Sequence, residues 1–125
     1  MKNKPTDSEL EVLALIWQHG ELTVRQINDQ IKKSRNIGYT TTLKIMQIMY
    51  EKGMLTRQKE GKTHIYNAVE PRQKTQLGLL TKMVKTVFHG SSKDLVMQAL
   101  GSENTSKEEL AEIRAYLEKL EKQKK

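Results

Sequence analysis

Six stretches of the chain carry apolar residues at helical spacing, and two short stretches between them read as strands. Leu10, Leu13, Ile16 and Trp17 form the first helix, opened by a Thr6-x-x-Glu9 capping box and closed at His19-Gly20. Thr23 with Gln26 repeats the box, and Val24, Ile27 and Ile31 predict a second helix to about Lys33. Ser34 to Gly38 is a polar turn. A third helix begins in the run Thr40-Thr41-Thr42, carries Leu43, Met46, Met49 and Tyr50 inward, and stops before Gly53, a C′ glycine. Leu55 to Glu60 and Thr63 to Val69 predict two strands of a hairpin joined through Gly61.

Pro71 opens a second phase. Leu77, Leu80, Val84 and Val87 recur at 3,4,3 spacing, and His89-Gly90-Ser91 ends that helix. A short helix carries Leu95, Val96, Ala99 and Leu100, and Gly101 to Asn104 reads as a loop. Thr105 or Ser106 caps a last helix with the seam Leu110, Ile113, Leu117 and Leu120. The expected organisation is mainly α. Residues 1–70 form a winged helix of three helices and a β-hairpin wing, and residues 71–125 form a helical dimerisation domain. Three helices of that size enclose little core alone, so the two apolar seams are expected to be shared between two copies.

Charge sharpens the picture. The net charge is +7, but residues 25 to 62 alone hold nine Lys and Arg against three acids, whereas residues 1 to 24 are net negative. A basic concentration within one ordered region points to a polyanion; the plainer reading of such a run is a solvated face. On a helical wheel the third helix turns Thr41, Lys44, Ile45 and Ile48 away from the core, with Lys52 at the far end. Two branched aliphatics on an outward face suit thymine methyl groups in a major groove, beside hydroxyl and ammonium groups that reach base edges or phosphates. Thr40 is expected to cap the helix, and Thr41 and Thr42 to face DNA; the alternative is that all three only cap and pack. Arg57, Lys59 and Lys62 make the hairpin a basic wing.

Other chemistry is excluded or unsupported. The chain has no cysteine, which removes disulfides, thiolate metal sites and cysteine nucleophiles and fits a cytoplasmic protein. His19, His64 and His89 are isolated, so no metal or cofactor and no catalytic constellation is expected. There is no signal-peptide pattern and no membrane-spanning run.

The segments TDSELEVLALIW, GELTVRQIND, GYTTTLKIMQIMYEKGMLTRQKEGKTHIYNA and TSKEELAEIRAYLEKL resemble, in order, the BlaI/MecI/CopY repressors. The resemblance implies a homodimer that represses promoters at a palindromic, double-stranded DNA operator with TACA/TGTA-like half-sites. It also implies antibiotic-resistance targets and release by a regulatory protease. The absence of cysteine excludes the metal sensing of the CopY branch. Gln98-Ala99 stands where the staphylococcal repressors are cut at Asn-Phe, and Ile48 where many relatives carry arginine. Two other readings remain at this point: a regulator that senses a small ligand, and a winged-helix module that docks a protein and never touches DNA.

Overall fold

The computed structural model describes residues 4–102 and 104–124. Helix α1 (Asp7–His19) starts where the sequence places its cap: Thr6 Oγ1 accepts from the Glu9 N–H at 3.2 Å, and Glu9 accepts from the Thr6 N–H at 3.0 Å. Helix α2 (Val24–Ile31) repeats the arrangement with Thr23 and Gln26. Helix α3 (Tyr39–Glu51) follows the turn and ends at Lys52-Gly53. Gly53 has φ +82°, a left-handed conformation that costs a residue with a Cβ about 1 kcal/mol or more.

The hairpin forms as expected from β2 (Leu55–Glu60) and β3 (Thr63–Ala68), in the register Leu55 to Ala68, Arg57 to Tyr66 and Glu60 to Thr63. A third strand, β1 (Leu22–Thr23), was not anticipated. It pairs antiparallel with β3 and makes the sheet order β1-β3-β2. Two residues are too few to show an alternation, so only the pairing reveals it. The core gathers Val12, Leu13 and Ile16 of α1, Ile27 of α2, and Met46 and Met49 of α3 against Leu55 and Tyr66 of the sheet. Tyr66 is buried at the centre of β3, held between both neighbouring strands.

Helix α4 (Arg72–Thr86) begins just after Pro71. Its first turns are tied back to the wing: Thr75 is buried and donates to Glu70 Oε1 at 2.8 Å, while Trp17 Nε1 donates to the Glu70 carbonyl at 3.0 Å. Trp17 is thus a half-buried strut between α1 and the end of the hairpin rather than a full core residue. The chain divides into two compact units at Leu80 and Thr81, within α4.

The second unit holds the rest of α4 with α5 (Ser92–Ser102) and α6 (Lys107–Gln123). Ser106, not Thr105, caps α6, with Glu109 completing the box. Gly101 and Ser102 are helical rather than part of a loop; the Ser102 hydroxyl donates to the Gln98 carbonyl at 2.7 Å and helps close that last turn. Among the described residues neither α5 nor α6 buries a single side chain, and Met83, Val87, Val96, Met97, Leu110, Tyr116 and Leu117 are exposed.

Candidate nucleic-acid interface

The threonine run divides in two, an exposed pair and a buried third residue. Helix α3 starts at Tyr39 with Gly38 as N-cap and no side-chain cap, so Thr40 is not the cap but an exposed first-turn residue. Thr41 is also exposed. Thr42, expected on the DNA side, is fully buried instead. The Asn28 amide, itself buried, donates to Thr42 Oγ1 at 2.8 Å and to the Ile37 carbonyl at 3.2 Å, and the Thr42 hydroxyl lies 3.4 Å from the Gly38 carbonyl. A threonine hydroxyl satisfied in this way packs like a core residue. This small network fixes the turn between α2 and α3.

The same rotation corrects Ile45. The inward side of α3 is centred on Thr42, Met46 and Met49, which puts Ile45 on the flank, half-buried against the core. The face left outward carries Thr40, Thr41, Lys44, Gln47 and Ile48, with Ile48 38% exposed. Gln47 leaves no mark in a pattern of charges and aliphatics, being neutral and polar. Its three-residue spacing from Lys44 places it on the same face, and its amide suits the paired donor and acceptor of adenine.

Two of the nine cations serve the fold. Arg35 pairs with Glu11 of α1, and Lys52 Nζ lies 3.0 Å from Glu9 Oε2. Seven cations against three acids then remain in residues 25 to 62. Lys59 and Lys62 are exposed toward the hairpin tip. Arg57 lies on the sheet face that carries Leu55 and is half-buried, its guanidinium 3.9 Å from the Tyr50 ring centroid. Arg25 of α2 sits over Tyr39 at 5.0 Å. The first N–H groups of α3 lack helical partners, as at any helix start, and add positive potential beside Thr40 and Thr41.

The Glu9–Lys52 pair locks the start of α1 to the end of α3. Burial pushes the Glu9 carboxyl up, but the Thr6 N–H, the Lys52 ammonium and the Thr6 hydroxyl outweigh it and hold it below the ordinary carboxylate value. A depressed carboxylate gives stability that is complete above its unfolded pKa and is lost as pH falls through its folded pKa. Acidification below pH about 4.3 is therefore expected to loosen the winged helix progressively. Lys52→Met is expected to destabilise it by about 1–2 kcal/mol at neutral pH, since it leaves a buried carboxylate with one partner fewer. Glu9→Gln should flatten the acid limb of the stability profile. Urea midpoints measured between neutral and acidic pH check both; equal acid limbs in Glu9→Gln and the unaltered chain would count against the lock.

Among the described residues no three His, Asp or Glu side chains come together as a metal site, and no helix is long and apolar enough to cross a membrane. The site thus offers a helix whose outward face carries hydroxyl, amide, ammonium and aliphatic groups, followed in the chain by a basic hairpin.

Comparison with known proteins agrees with that geometry. The family described as Penicillinase repressor matches residues 5–119. The chain is similar to the penicillinase repressor of Bacillus licheniformis, 24% identical over 127 residues that cover 100% of this chain and 99% of the relative. It is also similar to the methicillin resistance regulatory protein MecI of Mammaliicoccus sciuri, 24% identical over 114 residues, 91% of this chain and 93% of the relative. Among solved structures, the DNA-binding domain of the repressor BlaI superposes with a TM-score of 0.51 at 27% identity, covering 58% of this chain and 90% of that domain. A MarR family protein from Bacillus stearothermophilus superposes with a TM-score of 0.53 at 20% identity, over 98% of this chain and 76% of that one, a likeness of fold alone.

Proposed function

The chain belongs to the penicillinase repressor family, a family of transcriptional repressors and not of enzymes, and on that footing we propose that it represses transcription as a homodimer bound to a palindromic operator. The observation that carries the reading is the outward face of α3. Thr40, Thr41, Lys44, Gln47 and Ile48 form one contiguous exposed surface that the core does not use, and Lys59 and Lys62 stand exposed toward the hairpin tip. Such a surface fits the major groove, where amide, hydroxyl and apolar groups distinguish base pairs, while the wing cations hold the backbone.

The dimer is supported by α4 and the second unit. Leu77, Leu80, Val87, Leu110 and Leu117 are exposed and Val84, Ile113 and Leu120 only half-buried, so both predicted seams remain largely in water in a single copy. A second copy would remove them from it, and two tethered reading heads would bind two half-sites with the gain of avidity. The MecI and penicillinase relatives carry names that tie them to β-lactam resistance. By that likeness the regulated genes are resistance genes; release follows, as the sequence resemblance implies, when a protease cuts within residues 89–105, the stretch that holds α5. That helix buries no side chain and holds Gln98-Ala99.

Footprinting on the DNA upstream of the protein's own gene and its neighbours tests the reading. A protected, two-fold symmetric site supports it. Absence of salt-dependent binding to any duplex would favour a protein-docking module instead. The mass of the protein in β-lactam-treated cells tests the release step, and full derepression with an intact chain would count against proteolysis.

Within the site, readers and clamps should separate. Thr41→Ala, Gln47→Ala and Ile48→Ala are expected mainly to reduce discrimination between operator and random DNA, by about 1 kcal/mol per lost base contact. Lys59→Ala and Lys62→Ala should weaken both duplexes alike and lower the salt slope by about one phosphate each. Ile45→Ala should act through stability. Competition titrations with operator and scrambled duplexes read the difference; equal losses on both for all three reader variants would show the reading face to be misassigned.

A further inference from the structure

Two arginines lie over tyrosine rings at opposite ends of α3. The Arg57 guanidinium of β2 lies 3.9 Å from the Tyr50 centroid, and that of Arg25 in α2 lies 5.0 Å from the Tyr39 centroid. Tyr50 lies eleven positions after Tyr39, so the two residues leave the helix about 16 Å apart along its axis and within about 20° of the same side. Both rings are about two-fifths exposed. The two arms come from different elements, yet they meet α3 in the same manner.

Stacking uses the face of a guanidinium and leaves its in-plane N–H donors free. Among the described residues neither Arg25 nor Arg57 donates a side-chain hydrogen bond or joins an ion pair, whereas Arg35 is engaged by Glu11. Seating over the ring limits where the fork can go, so less side-chain freedom is lost when the fork takes an anion. Phosphate is the anion that such a fork matches in two parallel hydrogen bonds. A reading helix longer than the roughly 12 Å width of the major groove brings both of its ends close to phosphate.

We infer that Arg25–Tyr39 and Arg57–Tyr50 are a pair of preformed phosphate clamps bracketing the recognition helix, with Tyr39 and Tyr50 as positioning residues. The inference rests on the DNA-binding reading above and adds to it two tyrosines that touch no base. It also gives Arg57 a different manner of action from Lys59 and Lys62, which act as mobile point charges.

The test uses the full chain and a random-sequence duplex of three helical turns, with binding followed by fluorescence anisotropy across a salt series. Arg57→Lys keeps the charge and loses the fork; it should weaken binding about two- to fivefold with an unchanged salt slope. Tyr50→Leu should give the same loss, Tyr50→Phe should bind as the unaltered chain, and Arg57→Lys with Tyr50→Leu should be no weaker than either alone. Arg25→Lys and Tyr39→Leu should behave as a second such pair. Arg57→Gln should lower the salt slope by about 0.9, which a merely structural role would not do.

If Tyr50→Leu binds normally while Arg57→Gln weakens binding, the charge acts unaided and the clamp is overturned. Additive losses in the double variant overturn it too. If the unaltered chain binds with a salt slope but none of the stack variants differs from it, the clamp alone fails. If the unaltered chain binds no duplex at any salt concentration, the DNA reading fails and the clamp with it.

Discussion

Removing residues 81–125 is expected to leave a folded winged helix that binds its operator about a hundredfold or more weaker than the full chain. The truncation point matters. A cut at Pro71, where composition changes, would remove the buried Thr75 and strand its acceptor Glu70, whose carbonyl also receives the Trp17 indole. A cut after Leu80 keeps that junction and follows the division between the compact units. What is lost is the α5 and α6 surface and the exposed end of α4 and, on the dimer proposed above, the second reading head. Without it, binding a half-site is no longer followed by an intramolecular second step, and avidity disappears. Sedimentation should give a monomer for residues 1–80 and a dimer for the full chain, and titration of operator DNA should give the affinity ratio. Equal affinities would mean that one protomer carries all the recognition. A full chain that sediments as a monomer at micromolar concentration would remove the dimer altogether.

Asn28→Ala is expected to destabilise the winged helix by about 2–3 kcal/mol, because it orphans the buried Ile37 carbonyl and takes the donor away from Thr42. In a unit of this size that lowers the melting temperature by on the order of 10 °C. Thr42→Val keeps the shape and leaves the Asn28 amide one acceptor short, at a cost of about 1–2 kcal/mol. Asn28→Leu combined with Thr42→Val should recover part of the loss, since replacing both polar partners by apolar groups of similar shape removes the unpaired donor. DNA affinity is expected to fall more than stability alone predicts, as these bonds set the turn from which α3 projects. Thermal melts and operator titrations on the same variants separate the two effects. An Asn28→Ala protein that melts within a degree of the unaltered chain would show that the network contributes little.

Much of this protein is legible in its sequence, for local reasons. The capping boxes of Thr6, Thr23 and Ser106, the left-handed Gly53, the hairpin around Gly61 and the period of each apolar stripe all act within a few residues. A linear pattern therefore carries helix starts, stops and the order of elements. It also carried the basic concentration of residues 25 to 62 and the resemblance to a repressor family.

Tertiary structure decided the rest, because those features depend on partners far apart in the chain. β1 exists only as a pairing with β3 across more than forty residues. Packing of Met46 and Met49 together with a polar contact from Asn28 made Thr42 core, left Ile45 on the flank and put Gln47 on the outward face of α3. Lys52 looked like a free cation until Glu9, forty-three residues away, took it. Arg57 looked like a plain wing charge until the register of β2 set it on the Tyr50 ring. Hydrophobicity at a single position does not encode whether a threonine hydroxyl or a lysine ammonium finds a buried partner, and that is what turns a surface residue into a structural one.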